Sequence, residues 1–208
     1  MEDILDLYEQ PYDPCRPTVC FDERPCQLID EVLVPLPMKP GRAKYQEDEY
    51  ERKGTCCVFI AFEPLRGWRC VQVRERRTAR DYAAFMKGLV EMHYAGSECI
   101  RLVQDNLNTH TPGSFYQVLA PQEAFELAQK FELRYTPRKG SWLNMAEIEL
   151  SALSRQCLDR RIGDIETLKQ EATIWAHKRN QARKTVRWKF TATEARRKLK
   201  SKYPVFQN

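Results

Sequence analysis

Three carboxylates in this 208-residue sequence stand where chemistry could be done: Asp22, Asp105 and Glu147. Asp22 follows the β-prone run Thr18-Val19-Cys20-Phe21 and ends or interrupts a first strand. Asp105 closes a short apolar strand, Ile100 to Gln104, and Glu147 falls in the first turn of a helix that starts near Asn144. In open α/β sheets, sites form outside the carboxyl ends of strands, where the strand order reverses. If the first and fourth strands are neighbours, Asp22 and Asp105 come together, and the helix at 144–158 brings Glu147 in from the side. Three carboxylates around one point do not all stay ionised without a cation. Oxygen-only ligands, with no His or Cys, favour Mg²⁺ or Mn²⁺.

Each acid also has a plain structural reading. Asp22 and Asp105 are the kind of residue that ends strands and opens turns. Asn144-x-x-Glu147 reads equally as a helix cap, with Asn144 as N-cap and Glu147 three residues in. Helix phase separates the two glutamates of this segment. Ala146, Leu150, Leu153 and Cys157 form its apolar stripe, and Glu147 shares a face with Ser151 and Ser154. At about 100° per residue Glu149 points nearly opposite to Glu147, so only one of the two can join the cluster.

The elements that must position these acids follow from periodicity. A short helix over Glu2–Glu9 precedes a Pro-rich connector. Residues 35–54, with Pro35, Pro37, Pro40 and Gly41, form a long excursion between two strands. Thr55 to Phe62 is a near-continuous apolar run and reads as a central strand, and Trp68 to Arg74 alternates as the next. Thr78-Ala79-Arg80-Asp81 resembles a capping box ahead of Tyr82, Phe85, Met86, Leu89, Val90 and His93, an amphipathic helix of about four turns that Gly96 ends. Helical pieces across Phe115–Phe131, a fifth strand at Leu133 to Thr136 and the Asn144 helix complete an order β-β-β-α-β-α-β-α. The expected fold is α/β: a mixed five-stranded sheet with helices on both faces, followed by a basic helical tail over 159–208.

Composition limits the function classes. Hydrophobic residues are 42% and charged residues 30%, which excludes a disordered protein. No stretch approaches the roughly 18 apolar residues that span a bilayer. The start Met1-Glu2-Asp3 lacks the basic region of a secretory signal, so a cytoplasmic location is expected. The eight cysteines contain no C-x-x-C pair and read as reduced thiols. The net charge of +5 divides unevenly. Residues 151–208 carry 15 Lys/Arg and 5 Asp/Glu, net +10, against 19 basic and 24 acidic residues before them, net −5. Such a segment suits a polyanion. Its candidate phosphate contacts are Lys178, Arg179, Arg183, Lys184, Arg187 and Lys189, near Trp175 and Trp188, with Arg42, Lys44 and Arg52 added from the excursion. A solvated helix face is the competing account. Asn106, Asn108 and His110 follow Asp105 closely and could orient the site, although His110 also fits a satisfied loop histidine and His93 a residue at the core edge.

Three blocks carry a family resemblance. Cys20-Phe21-Asp22-Glu23, then Val103-Gln104-Asp105-Asn106-Leu107-Asn108-Thr109-His110, then Ser141-Trp142-Leu143-Asn144-Met145-Ala146-Glu147-Ile148-Glu149 resemble the acidic motifs of bacterial insertion-sequence transposases of the mariner-like superfamily. Pro40-Gly41-Arg42, Tyr50 to Thr55, and Trp188 to Pro204 share the family's flavour. The likeness runs from about Tyr12 onward. It implies an RNase H-like domain over 15–158, with an N-terminal linker at 1–14 and an extension at 159–208. It implies Asp22, Asp105 and Glu147 as a catalytic triad holding two Mg²⁺ (or Mn²⁺) ions for DNA cleavage and strand transfer. The implied partners are DNA, both transposon ends and target, and a second copy of the chain in a homodimer or higher assembly; the implied location is the bacterial nucleoid. The family places helix-turn-helix modules before this domain, and about 14 residues here are too few for one. The resemblance then makes this a catalytic domain alone, as a fragment, a separate reading frame or a truncated copy, with an upstream helix-turn-helix subunit or frame as one source of the modules. The alternatives are another Mg²⁺-dependent nuclease of the same fold, or a transposase remnant that only binds DNA.

Overall fold

The computed structural model describes residues 1–32, 40–41 and 49–203. Arg42 and Lys44 lie outside the described residues, as does most of the excursion between the first two strands. Five strands form one sheet: β1 (Thr18–Glu31), β2 (Tyr50–Glu63), β3 (Trp68–Arg74), β4 (Ile100–Gln104) and β5 (Phe131–Tyr135), in the order β3-β2-β1-β4-β5. The helices are α1 (Glu2–Glu9), α2 (Ala79–His93), α3 (Pro121–Gln129), α4 (Ala146–Gln156), α5 (Ile165–Gln181) and α6 (Ala192–Lys198). β1, β2 and β3 pair antiparallel, whereas β4 runs parallel to β1 and β5 parallel to β4. The strand order reverses between β1 and β4, as the site argument requires.

β1 corrects one expectation. It does not end at Asp22 but continues to Glu31, because β2 offers a partner along its length: Asp22 pairs with Ile60 and Cys26 with Cys56. Pro25 sits inside this strand without penalty. β4 pairs only with Thr18, Val19 and Cys20, so beyond Cys20 β1 is bonded on one side, and a residue with no N–H is tolerated on such an edge. Asp22 thus lies two residues past the point where the parallel ladder ends, and Asp105 directly follows the last residue of β4.

The sheet is packed on both faces. Val19, Phe21, Phe59, Tyr82, Phe85, Met86, Leu89, Leu102, Phe115 and Leu127 form the core beneath α2 and α3. α2 begins with the expected capping box: Thr78 accepts from the Asp81 amide, and the Asp81 side chain accepts from the Thr78 amide. On the other face, Cys20, Ile60, Phe62 and Val103 meet Leu150 and Leu153 of α4. The segments expected to flank the domain join this second core. α1 contributes Ile4, Leu5, Leu7 and Tyr8, α5 contributes Leu168, Ala172, Trp175 and Ala176, and α6 contributes Ala192 and Ala195. Glu2 and Arg196 pair through two hydrogen bonds and tie α1 to α6.

The turn between β2 and β3 receives the end of α5. Gly67 has φ +69°, and a Cβ there would lie 2.8 Å from the backbone of Arg183, so both the conformation and the space demand glycine. All eight cysteines are free thiols. Among the described residues no helix is long and apolar enough to cross a membrane.

Candidate active site

Asp22 and Glu23 alternate along β1 and therefore address opposite faces of the sheet. Asp22 sits on the α4 side, half-buried. Its Oδ1 accepts from the Glu23 amide at 2.9 Å and its Oδ2 from Asn144 Nδ2 at 3.2 Å. Burial pushes the Asp22 carboxyl up to about 7, and the charge of Glu147 pushes in the same direction, followed by Glu23 and Asp105; the hydrogen bond from the Glu23 amide opposes them. Asp22 is thus within electrostatic reach of the other two acids. β1, β4 and α4 deliver three carboxylates to one end of the sheet.

Asn144 satisfies a first-turn amide of α4 and also reaches β1. Its Nδ2 donates to the Phe21 carbonyl at 2.7 Å as well as to Asp22, and its Oδ1 accepts from the Ala146 amide at 3.1 Å. The helix starts at Ala146 with Met145 as N-cap, whose side chain makes no capping bond. The Asn144 half of the capping reading holds, through its bond from the Ala146 amide, and Glu147 is left free of it. Asn144 fastens the start of α4 to β1, and Glu147 remains an exposed carboxylate in the first turn. Glu149 is turned away, as helix phase requires, and is wholly buried.

His110 is buried between two acids. Its Nδ1 lies 2.5 Å from Asp105 Oδ1 and its Nε2 lies 3.0 Å from Glu23 Oε2. Burial alone would lower its pKa, but the hydrogen bonds to Asp105 and Glu23 and their charges outweigh it and raise it to about 9. His110 thus bridges Glu23 and Asp105 and holds the Asp105 carboxylate in place. The loop itself is secured by Gln104 and Tyr135, both of which donate to the His110 carbonyl, while Tyr82 donates to Gln104. Asn106 is exposed in the same loop.

The oxygen-only set Asp22, Asp105 and Glu147 fits a hard divalent cation, because such an ion would offset the burial and the neighbouring acid charge that raise the Asp22 carboxyl. Among the described residues no three His, Cys, Asp or Glu side chains already close around one point as a metal site.

The basic candidates separate into two groups. Lys178, Arg183, Lys184, Arg187 and Lys189 are exposed, as is Arg52 on β2. Arg179 departs from them. It donates to both oxygens of Glu149, from Nε at 3.0 Å and Nη2 at 2.7 Å, and is taken up in a structural pair. The same carboxylate has Arg69 Nε at 2.9 Å, with both side chains fully buried. Arg69 also donates to Asn180 Oδ1 and to the Lys184 carbonyl. This cluster joins α4, β3 and α5, and the sequence reading did not include Arg69, Glu149 or Glu23 in the site. Glu149 carried a signal, as an acid on the packed side of α4. Arg69, lying between Trp68 and Cys70 on a strand, carried none.

Comparison with known proteins gives consistent results. The family model for DDE superfamily endonuclease matches residues 17–169. No curated protein matches. Among solved structures, the Mos1 mariner paired end complex with Mn aligns with TM-score 0.59 and 16% identity over 88% of this chain and 54% of that one. The Mos1 paired end complex with Mg aligns with TM-score 0.58 and 16% identity over 93% and 59%. The Mos1 strand transfer complex aligns with TM-score 0.55 and 14% identity over 88% and 56%. The chain thus spans 54–59% of these transposase chains. They share its fold, the RNase H-like mixed five-stranded sheet flanked by helices. With its family model matched over most of its length, the chain belongs to the DDE superfamily endonucleases.

Proposed function

We propose that the chain is the catalytic part of a transposase, cleaving DNA phosphodiesters and joining the freed 3′-hydroxyl ends to target DNA. The observation that carries this reading is the placement of three carboxylates at one end of the sheet: Asp22 on β1, Asp105 directly after the parallel neighbour β4, and Glu147 in the first turn of α4, which Asn144 fastens beside Asp22. Asp22, Asp105 and Glu147 are the residues that would hold Mg²⁺ or Mn²⁺, two ions in the fullest form of the proposal. Bound there, the metal supplies a Lewis acid for the attacking and leaving oxygens of a phosphoryl transfer.

The chain's own residues prepare that chemistry. Asn144 fixes the start of α4 to β1, which sets the approach of Glu147 to Asp22. His110, bridging Asp105 and Glu23, orients the Asp105 carboxylate. Exposed Lys178, Arg183, Lys184, Arg187, Lys189 and Arg52 offer charge to the phosphate backbone, with Arg42 and Lys44 proposed alongside them. The proposed DNA partners are transposon ends and target, bound by a paired assembly of two or more copies. Support comes from the family match and from the fold shared with Mos1 complexes.

Asp105→Asn tests the reading. Mg²⁺-dependent nicking of supercoiled DNA should be lost while the circular dichroism spectrum and melting temperature hold. Retained nicking overturns the assignment. A strand-transfer assay then separates a transposase from a nuclease that only cuts.

A further inference from the structure

Trp142 is an anomaly among the aromatic residues beside the site. It lies in the 3₁₀ turn Ser141–Leu143, two residues before Asn144, yet is 44% exposed. Its environment is built rather than loose. One side packs on Trp188, with ring centroids 6.1 Å apart and planes 24° from parallel, and Phe190 meets it edge-on at 5.9 Å. Trp188 is itself fastened, donating its indole N–H to the Phe190 carbonyl at 2.9 Å and packing on Tyr8. Tyr8 donates to the Leu143 carbonyl at 2.8 Å and lies 3.3 Å from Cys20 Sγ, two residues before Asp22. An indole is thus held rigid from behind, open on its other side, and linked to both the strand of Asp22 and the start of α4.

The surroundings select the occupant. Arg138 and Lys139 are exposed in the tight turn just before Trp142, and Lys189 is exposed next to Trp188. Lys198 lies over the Phe190 ring at 5.4 Å. Among the described residues, Arg138, Lys139 and Lys189 form no ion pair. A flat apolar face with a basic rim matches a nucleobase attached to phosphates, whereas a protein partner of this patch would need an acidic rim of its own. Base–aromatic stacking is tolerant of sequence and is worth about 1–3 kcal/mol per base.

We propose that Trp142 is a stacking platform for one unpaired nucleobase of the DNA strand engaged at Asp22, Asp105 and Glu147. The proposal deepens the nuclease reading by assigning a base subsite beside the reacting phosphate. It requires a strand whose base is free at that point, either a frayed end or an extruded nucleotide.

The test uses the full chain and two labelled probes of equal length, a single-stranded oligo-dA and an abasic oligomer with the same phosphates, followed by fluorescence anisotropy. Trp142→Ala should weaken oligo-dA binding roughly 5- to 150-fold and leave the abasic oligomer unchanged, while Trp142→Phe keeps most of the affinity. Equal loss on both probes would make Trp142 a structural residue and overturn the proposal, as would no loss on oligo-dA. A sedimentation change in DNA-free Trp142→Ala, with DNA binding intact, would assign the patch to a second copy and also overturn it. The nuclease reading fails separately, through retained cleavage by Asp105→Asn, a result that leaves a base-dependent loss at Trp142 readable.

Discussion

Replacing Glu149 by leucine should destabilise the protein by about 3 kcal/mol, more than removal of an ordinary surface pair could. The figure follows from what remains. Glu149 is wholly buried and is the only anion within ion-pair distance of Arg69 and Arg179 among the described residues. Removing one member of a buried pair costs about 3–5 kcal/mol, because the surviving charge stays out of water. Arg69 keeps hydrogen bonds to Asn180 Oδ1 at 3.2 Å and to the Lys184 carbonyl at 2.7 Å, which favours the low end. Arg179, about one-fifth exposed, can turn toward solvent and adds little. For a chain of this size, about 3 kcal/mol corresponds to a melting temperature lower by roughly 6–12 °C. Arg179→Leu should cost clearly less, since it leaves the Arg69–Glu149 pair whole. Arg69→Met combined with Glu149→Leu should recover part of the loss, because no buried charge is then left alone. Urea unfolding followed by circular dichroism measures all three, with the slope checked for constancy. A Glu149→Leu loss below about 1 kcal/mol at unchanged slope would refute the argument that this cluster clamps α4 to β3 and α5.

Two further outcomes follow from charge. The Asp22 carboxyl, at about 7 against an ordinary 3.8, binds its proton more tightly when folded, so its stabilising contribution is complete below about pH 4 and is lost as the pH rises through 7. In EDTA the protein should therefore lose stability between about pH 4 and pH 7, and Asp22→Asn should flatten that fall; an equal fall in the variant removes Asp22 as its source. Neutralising Lys178, Arg183, Lys184, Arg187 and Lys189 to glutamine should reduce the slope of log K against log salt by roughly 0.9 for each duplex phosphate that these side chains neutralise, and an unchanged slope rejects them as the DNA-binding residues.

Much of this architecture was legible because local signals and tertiary packing agreed. The strand at Trp68–Arg74, the strand at Ile100–Gln104 and the helix at Glu2–Glu9 have the expected bounds, and the Thr78–Asp81 capping box forms as read. The position of Asp105 at the end of β4 and of Glu147 in the first turn of α4 was legible from strand ends and helix phase, whereas Asp22 lies inside β1 rather than at its end. The far half of β1 was not legible. Asp22-Glu23-Arg24-Pro25 is poor strand sequence, and only pairing with β2, joined through a long connection, makes it one. The C-terminal segment misled by its charge. The uneven charge of residues 151–208 drew attention to a basic, polyanion-binding extension, although Leu168, Ala172, Trp175 and Ala176 already fall at i, i+4, i+7 and i+8, a packing stripe. The Arg69–Glu149–Arg179 cluster depends on which strand lies under which helix, information that no short window contains.

The order in which the chain is made gives that cluster a second meaning. A ribosome completes all three acids of the proposed site with Glu147, but Arg179 follows Glu149 by 30 residues. Until α5 emerges, Glu149 and Arg69 cannot be enclosed and the core they share stays open. On the proposed reading, a message cut short before α5 yields an unsettled polypeptide rather than an unrestrained DNA-cutting fragment. On that reading, the clamp ties the onset of nuclease competence to the synthesis of α5.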